Sequence, residues 1–175
     1  MRRSATITAA ASAALVAAAG VANASHNGKV GGPRDFAVGA AKNTFVTGTP
    51  NHLMVSAHGL GPDVTGHVRA KGDLLGQFTL EGEVTCLRVE GNRAALKYRF
   101  KHASGSAAPF EGGGIQVFIE DNGEPRGGQS VDRNTFDPPQ PAGVFDTNAN
   151  QCDDPTLRAD YDPVDSGNYT VHDGG

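Results

Sequence analysis

The chain has no tryptophan, three tyrosines, two methionines and two cysteines in 175 residues. The shortage of rings argues against a sugar-binding face, because such faces usually display amphipathic aromatic side chains. Neither an H-E-x-x-H motif nor a Cys-His ligand spacing is present, so the six histidines do not read as a zinc site. His58 and His67 flank one turn and read as surface residues. There is no G-x-S-x-G elbow, and Ser56 and His58 on one strand face do not make a triad. A pair of glycosidase carboxylates picked from 19 acids carries no weight without positions. Basic residues are in deficit: the net charge is −4, and it becomes −6 once a leader holding Arg2, Arg3 and no acid is removed. This argues against nucleic acid or an anionic membrane surface as partner. Outside that leader no stretch repeats with a helical period, and no internal repeat is evident.

Residues 1–24 read as an export signal. Arg2 and Arg3 form the positive start, residues 8–22 are mostly Ala, Val and Leu, and Ala22-Asn23-Ala24 is an A-x-A cleavage site before Ser25. Ser4-Ala5-Thr6 lacks the large apolar residues expected after a twin arginine, which favours Sec export. With this exit site no transmembrane anchor is expected after cleavage. No cysteine lies near the site to take a lipid. Residues 25–34 are polar and Gly-rich, a flexible lead. Residues 35–175 are expected to form a single β domain with a long Pro- and Asp-rich loop at 137–165.

The domain is organised around residues 76–125. Side chains on a strand alternate faces, and Phe78, Leu80, Gly82, Val84 and Cys86 fall on one face. After Cys86 the parity flips to Leu87 and Val89. Gly91-Asn92 signals a two-residue hairpin turn. The return strand sets Ala94, Leu96, Tyr98 and Phe100 against Arg93, Ala95, Lys97, Arg99 and Lys101. The flip implies a β-bulge with Cys86 and Leu87 both facing Leu96. Beyond it Glu83 would face Arg99 and Glu81 would face Lys101, on an outer face open to solvent. Ile115, Val117 and Ile119 line one face of the next strand and Phe118 the other, so this strand is covered on both sides or sits near a partner. Some eight short strands separated by Gly, Pro and Asn turns predict an all-β fold, an antiparallel β-sandwich, with a small closed β-barrel as the alternative and no significant helix.

Cys86 and Cys152 stand alone in an exported chain. A disulfide between them is the expectation, with two free thiols as the alternative. It would tie the long acidic loop to the central hairpin.

Three motifs carry a family likeness: Glu83-Val84-Thr85-Cys86-Leu87 running on to Val89, Gly91-Asn92 and Ala94; Glu120-Asp121-Asn122-Gly123-Glu124-Pro125; and Ser166-Gly167-Asn168-Tyr169-Thr170-Val171-His172. In this order, over most of the mature chain, they resemble a family of secreted bacterial β-domain proteins. The resemblance implies a secreted β domain and brings no catalytic residues with it.

The best candidate for chemistry is acidic. Glu120, Asp121, Asn122 and Glu124 share one turn, with Asp132 on the following strand. Hard oxygen ligands on a loop suit calcium, so Asp121, Glu124 and Asp132 are the candidate calcium ligands. The competing reading is a plain hairpin turn, since Asn and Gly tolerate positive φ. Asp153, Asp154, Asp160, Asp162 and Asp165 read as a solvated loop. The composition favours a secreted, non-catalytic structural, adhesion or binding domain facing an extracellular ligand or envelope component. A carbohydrate-binding module built on Tyr98, Tyr161 or Tyr169 and a calcium-dependent binding domain are the alternatives. A secreted hydrolase is less favoured.

Overall fold

The computed structural model describes residues 34–44, 48–60, 63–73, 76–125, 127 and 131–175. The export signal and all of the flexible lead except Arg34 lie outside the described residues. β1 (Phe36–Thr44), β2 (Pro50–Leu60), β3 (Asp63–Asp73), β4 (Gln77–Glu90), β5 (Arg93–Gly105) and β6 (Gly114–Glu120) follow one another as antiparallel neighbours. β7 (Arg133–Phe136) joins β6, the two-residue β8 (Asp162–Pro163) joins β7, and β9 (Ser166–His172) returns beside β1. The order is β8-β7-β6-β5-β4-β3-β2-β1-β9, one sheet curled into a half-barrel.

The two-sheet sandwich expected from the sequence is thus replaced by one continuous sheet. Turns between successive strands make sequence neighbours into spatial neighbours. Every strand from β1 to β6 turns apolar side chains the same way, among them Ala37, Leu53, Val68, Leu80, Leu96 and Ile119, into one shared core. A twisted sheet with one apolar face buries it by rolling up on itself.

The central hairpin holds the expected register near its turn, with Val89 opposite Ala94 and Leu87 opposite Leu96. Gly91 takes φ +63°, as a primed turn requires. The ladder is broken as the parity flip requires, but one residue earlier than expected: Cys86 faces Lys97, Val84 faces Tyr98, and Thr85 is the extra residue. Glu83 faces Arg99 as expected. Glu81 does not face Lys101. A second irregularity, on β5, leaves Lys101 over and sets Glu81 opposite His102. Lys101 instead reaches Glu83 at 3.1 Å, and Glu81 pairs with Arg69 on β3 at 2.8 Å. This second break occurs at Gly82, where a side chain would collide with the Arg99 carbonyl. It returns Ala103 to the buried face.

The outer face of β5 is not open to solvent at Ala95 and Lys97, which corrects a further expectation, whereas the cover on both sides expected of β6 is found. Ala95, Lys97, Gln116 and Phe118 are all buried. The segment 137–161 lies across them, with one helical turn (Ala142–Phe145) and a 3-10 turn (Pro155–Leu157). Cys86 and Cys152 form a disulfide, Cα to Cα 5.8 Å, that ties this strap to β4. Phe145 lies against Gly114, where a side chain would collide with its ring. Arg158 stacks over Phe118 at 4.8 Å and Arg93 over Tyr161 at 5.1 Å. Hydrogen bonds finish the seam: Thr85 Oγ1 donates to the Ala149 carbonyl at 2.6 Å, and Lys97 Nζ to the Asn148 carbonyl at 3.1 Å. β6 is therefore buried along its whole length.

β8 and β9 remain the edges of the ladder, yet the chain itself crosses the gap between them. Val164 N donates to the Asp132 carbonyl at 3.1 Å and Asp165 N to the Lys42 carbonyl at 2.7 Å. Two residues thus pass from the β7 side to the β1 side. Farther along, Tyr169 N donates to Asp132 Oδ2 at 2.7 Å and Val171 N to Asp121 Oδ2 at 2.9 Å. Carboxylates therefore take N–H groups on the edge of β9 that faces away from β1. Asn134 Nδ2 adds a bond to the Tyr169 hydroxyl at 2.9 Å. Asp132 is wholly buried, and removing an acceptor there strands donors at about 1–3 kcal/mol each. Asp132→Ala is expected to lower unfolding free energy by about 3 kcal/mol or more in urea. Exposed Glu124→Ala should stay within about 0.5 kcal/mol of the parent.

Candidate functional site: an apolar cavity in the bore

The inner faces of β2 to β7 do not fill the bore evenly. A cavity of about 280 Å³ opens at the end distant from Asp121. Leu53 and Ala70 line it from β2 and β3, Phe78 and Leu80 from β4, and Tyr98 from β5. Ile115, Val117 and Phe136 close it from β6 and β7. Ser106 and Ala107, with Phe110 on the 3-10 turn (Ala108–Phe110) between β5 and β6, form one wall, and Pro139 another. Among these lining residues only Asn51, Ser106 and Tyr98 carry side-chain polar atoms, and none is charged. Ser106 Oγ is committed to the Gly76 carbonyl at 2.9 Å. Burial pushes the Tyr98 hydroxyl far above its ordinary pKa, so it stays neutral. The chamber can hold an apolar molecule and offers no ionised group to start a reaction.

The cavity was partly legible in the chain. Phe78, Leu80, Tyr98, Ile115 and Val117 are inward by alternation. Asn51 was missed. The signal was there: Asn51 shares the parity of Leu53, Val55 and Ala57, and a polar residue in an apolar row marks an unusual position.

The acidic cluster does gather, but around N–H groups. Asp121 Oδ1 accepts from Gly123 N at 2.8 Å, and Asp132 Oδ1 from Asn122 N at 2.9 Å, while their other oxygens hold β9. Glu124 is exposed and joins none of these bonds. Among the described residues no set of three or more His, Cys, Asp or Glu side chains is placed to hold a metal ion. The calcium expectation at Asp121, Glu124 and Asp132 therefore finds no gathered ligand set.

In the second acidic set Asp153, Asp160, Asp162 and Asp165 are exposed, as expected of a solvated loop, and Asp154 is half-buried, but several of them still find partners. Arg88 reaches Asp154 at 2.6 Å, Gln116 Nε2 donates to Asp153 at 3.0 Å, and Arg158 meets both Asp137 and Asp160. Burial lowers the pKa of Lys97 beneath the strap, while Asp153 and Asp137 pull it back up. Ser56 Oγ and His58 Nε2 approach to 3.4 Å on the exposed face. The three tyrosines are buried, at 1%, 3% and 1% exposure for Tyr98, Tyr161 and Tyr169, so none forms a ring platform for a sugar. Burial pushes the Tyr161 hydroxyl up to about 12.

No protein-family model matches the chain, and no curated protein or solved structure matches it.

Glu120, beside the acidic turn and away from the cavity, responds to acid. It is 7% exposed and takes two bonds from Arg93, at 2.9 and 2.7 Å, and one from Asn122. Burial alone would raise its pKa. The Arg93 and Asn122 bonds, with the charges of Arg93 and Arg133, outweigh burial and hold it below the ordinary glutamate value. A carboxylate lowered in the folded state stabilises the fold above its unfolded pKa, and that contribution is lost as pH falls through the folded value. Glu120→Gln is expected to cost about 2 kcal/mol at neutral pH. In denaturant titrations the variant and parent should converge as pH drops below the ordinary glutamate range.

Proposed function

We propose that the chain is exported and acts outside the cell as a non-catalytic binding domain that holds a small apolar molecule in the bore of its half-barrel. The observation that carries this is the cavity itself: about 280 Å³, walled by Leu, Ile, Val and Phe side chains. Ligand pockets are concave, mainly apolar and largely preformed, with a few polar groups, and barrel mouths are common places for them. The leader ending at Ala24 and the single disulfide support an extracellular setting. The three motifs that resemble secreted bacterial β-domain proteins support it too. The net charge of the mature chain favours a neutral partner over nucleic acid.

The test is thermal unfolding of residues 25–175 with and without naphthalene. Ligand binding to the folded state alone stabilises it by mass action, so a melting temperature several degrees higher is expected at saturation, about 2–4 °C for each kcal/mol. Ala70→Leu fills part of the chamber and is expected to remove that rise while the protein stays folded. A rise that survives in Ala70→Leu would place the ligand elsewhere.

A further inference from the structure

One polar atom in the cavity has no partner. Asn51 stands on the inward face of β2, two residues before Leu53, and is 4% exposed. It sits opposite Asn43 of β1, and its Nδ2 donates to Asn43 Oδ1 at 3.2 Å. That bond turns the amide so that Oδ1 is its free end. Asn51 Oδ1 is buried and accepts no hydrogen bond among the described residues. Native interiors rarely keep such an acceptor unsatisfied, and one that lines a chamber is explained by what enters the chamber.

Resting on the reading of the cavity as a binding site, we propose that its ligand is a neutral amphipathic molecule: an apolar body ending in one hydroxyl or N–H donor, which bonds to Asn51 Oδ1. Size follows from volume. An apolar cavity of about 150 Å³ holds benzene, so 280 Å³ suits a body of about ten carbon atoms. Neutrality follows from the lining. No charged side chain lies along it, and an ion buried without a partner is strongly disfavoured. A carboxylate or ammonium is therefore excluded, and an alcohol, phenol or primary amide fits. The donor requirement follows from Asn51, because an ether or ketone brings only another acceptor to an acceptor.

The test compares naphthalene, 2-methylnaphthalene and 2-naphthol on the unaltered mature protein by calorimetry. The methyl compound matches the naphthol in shape without the donor. The expected result is 2-naphthol binding about tenfold tighter than 2-methylnaphthalene. Asn51→Leu should erase that preference and keep naphthalene binding. The ligand comparison needs no variant, so a failure of Asn51→Leu to fold leaves it decisive. Naphthalene binding with 2-naphthol equal to or weaker than 2-methylnaphthalene would overturn the donor proposal and leave the cavity reading standing. A preference that persists in folded Asn51→Leu would also overturn it. Binding of none of the three would overturn both.

Discussion

A wholly buried carboxylate, that of Asp132, sits between two backbone N–H groups: Tyr169 from β9 and Asn122 from the turn after β6. An edge strand leaves a row of polar groups unpaired, and inside a protein each must find a partner. β9 has β1 on one side and no strand on the other. Asp132 and Asp121 supply acceptors where a strand would have supplied carbonyls. With Asn134 bonded to the Tyr169 hydroxyl, this seam holds the last strand against the bore. The half-barrel keeps its apolar interior covered without completing a ladder.

A second constraint acts from outside. The strap at 137–161 is poor in large apolar residues, and it stays on the sheet by three means. The disulfide limits where it can go in the unfolded chain, a contribution of about 4 kcal/mol for a loop of this length in the chain-entropy view. Phe145 and Tyr161 supply the apolar contacts. Arg88, Arg93, Lys97 and Arg99 meet its carbonyls, carboxylates and rings, and its own Arg158 lies over Phe118 of β6. Partly exposed ion pairs contribute little singly. Here their role is to satisfy groups that the strap itself buries.

Period-two alternation carried most of the fold in the sequence, because each strand buries one face only. It located the central hairpin, the turn at Gly91 and the need for a bulge. Local pattern could not reach the pairing of distant segments. Lys97 and Arg99 looked solvated because their partners, Asn148 and Asp146, are some fifty residues away in the strap. The carboxylates of Asp121 and Asp132 each take one backbone N–H from the turn after β6 and one from β9, and no side-chain pattern displays the second. Sheet continuity was equally hidden, since a sandwich and a rolled sheet share one alternation. Asn51 was readable by parity, but its free oxygen depends on the geometry of the Asn43 pair.

Seam and cavity divide the bore between them. At the Asp132 end, carboxylates and backbone amides pair across the seam. At the Phe78 and Phe136 end, the same inward faces leave room. Native-state hydrogen exchange at Tyr169 and Val171 tests the seam most directly. If the two carboxylates hold the edge of β9, both amides exchange as slowly as those β9 amides that pair with β1. Rapid exchange of Tyr169 and Val171 beside slow neighbours would contradict the account, for it would leave that edge open to water.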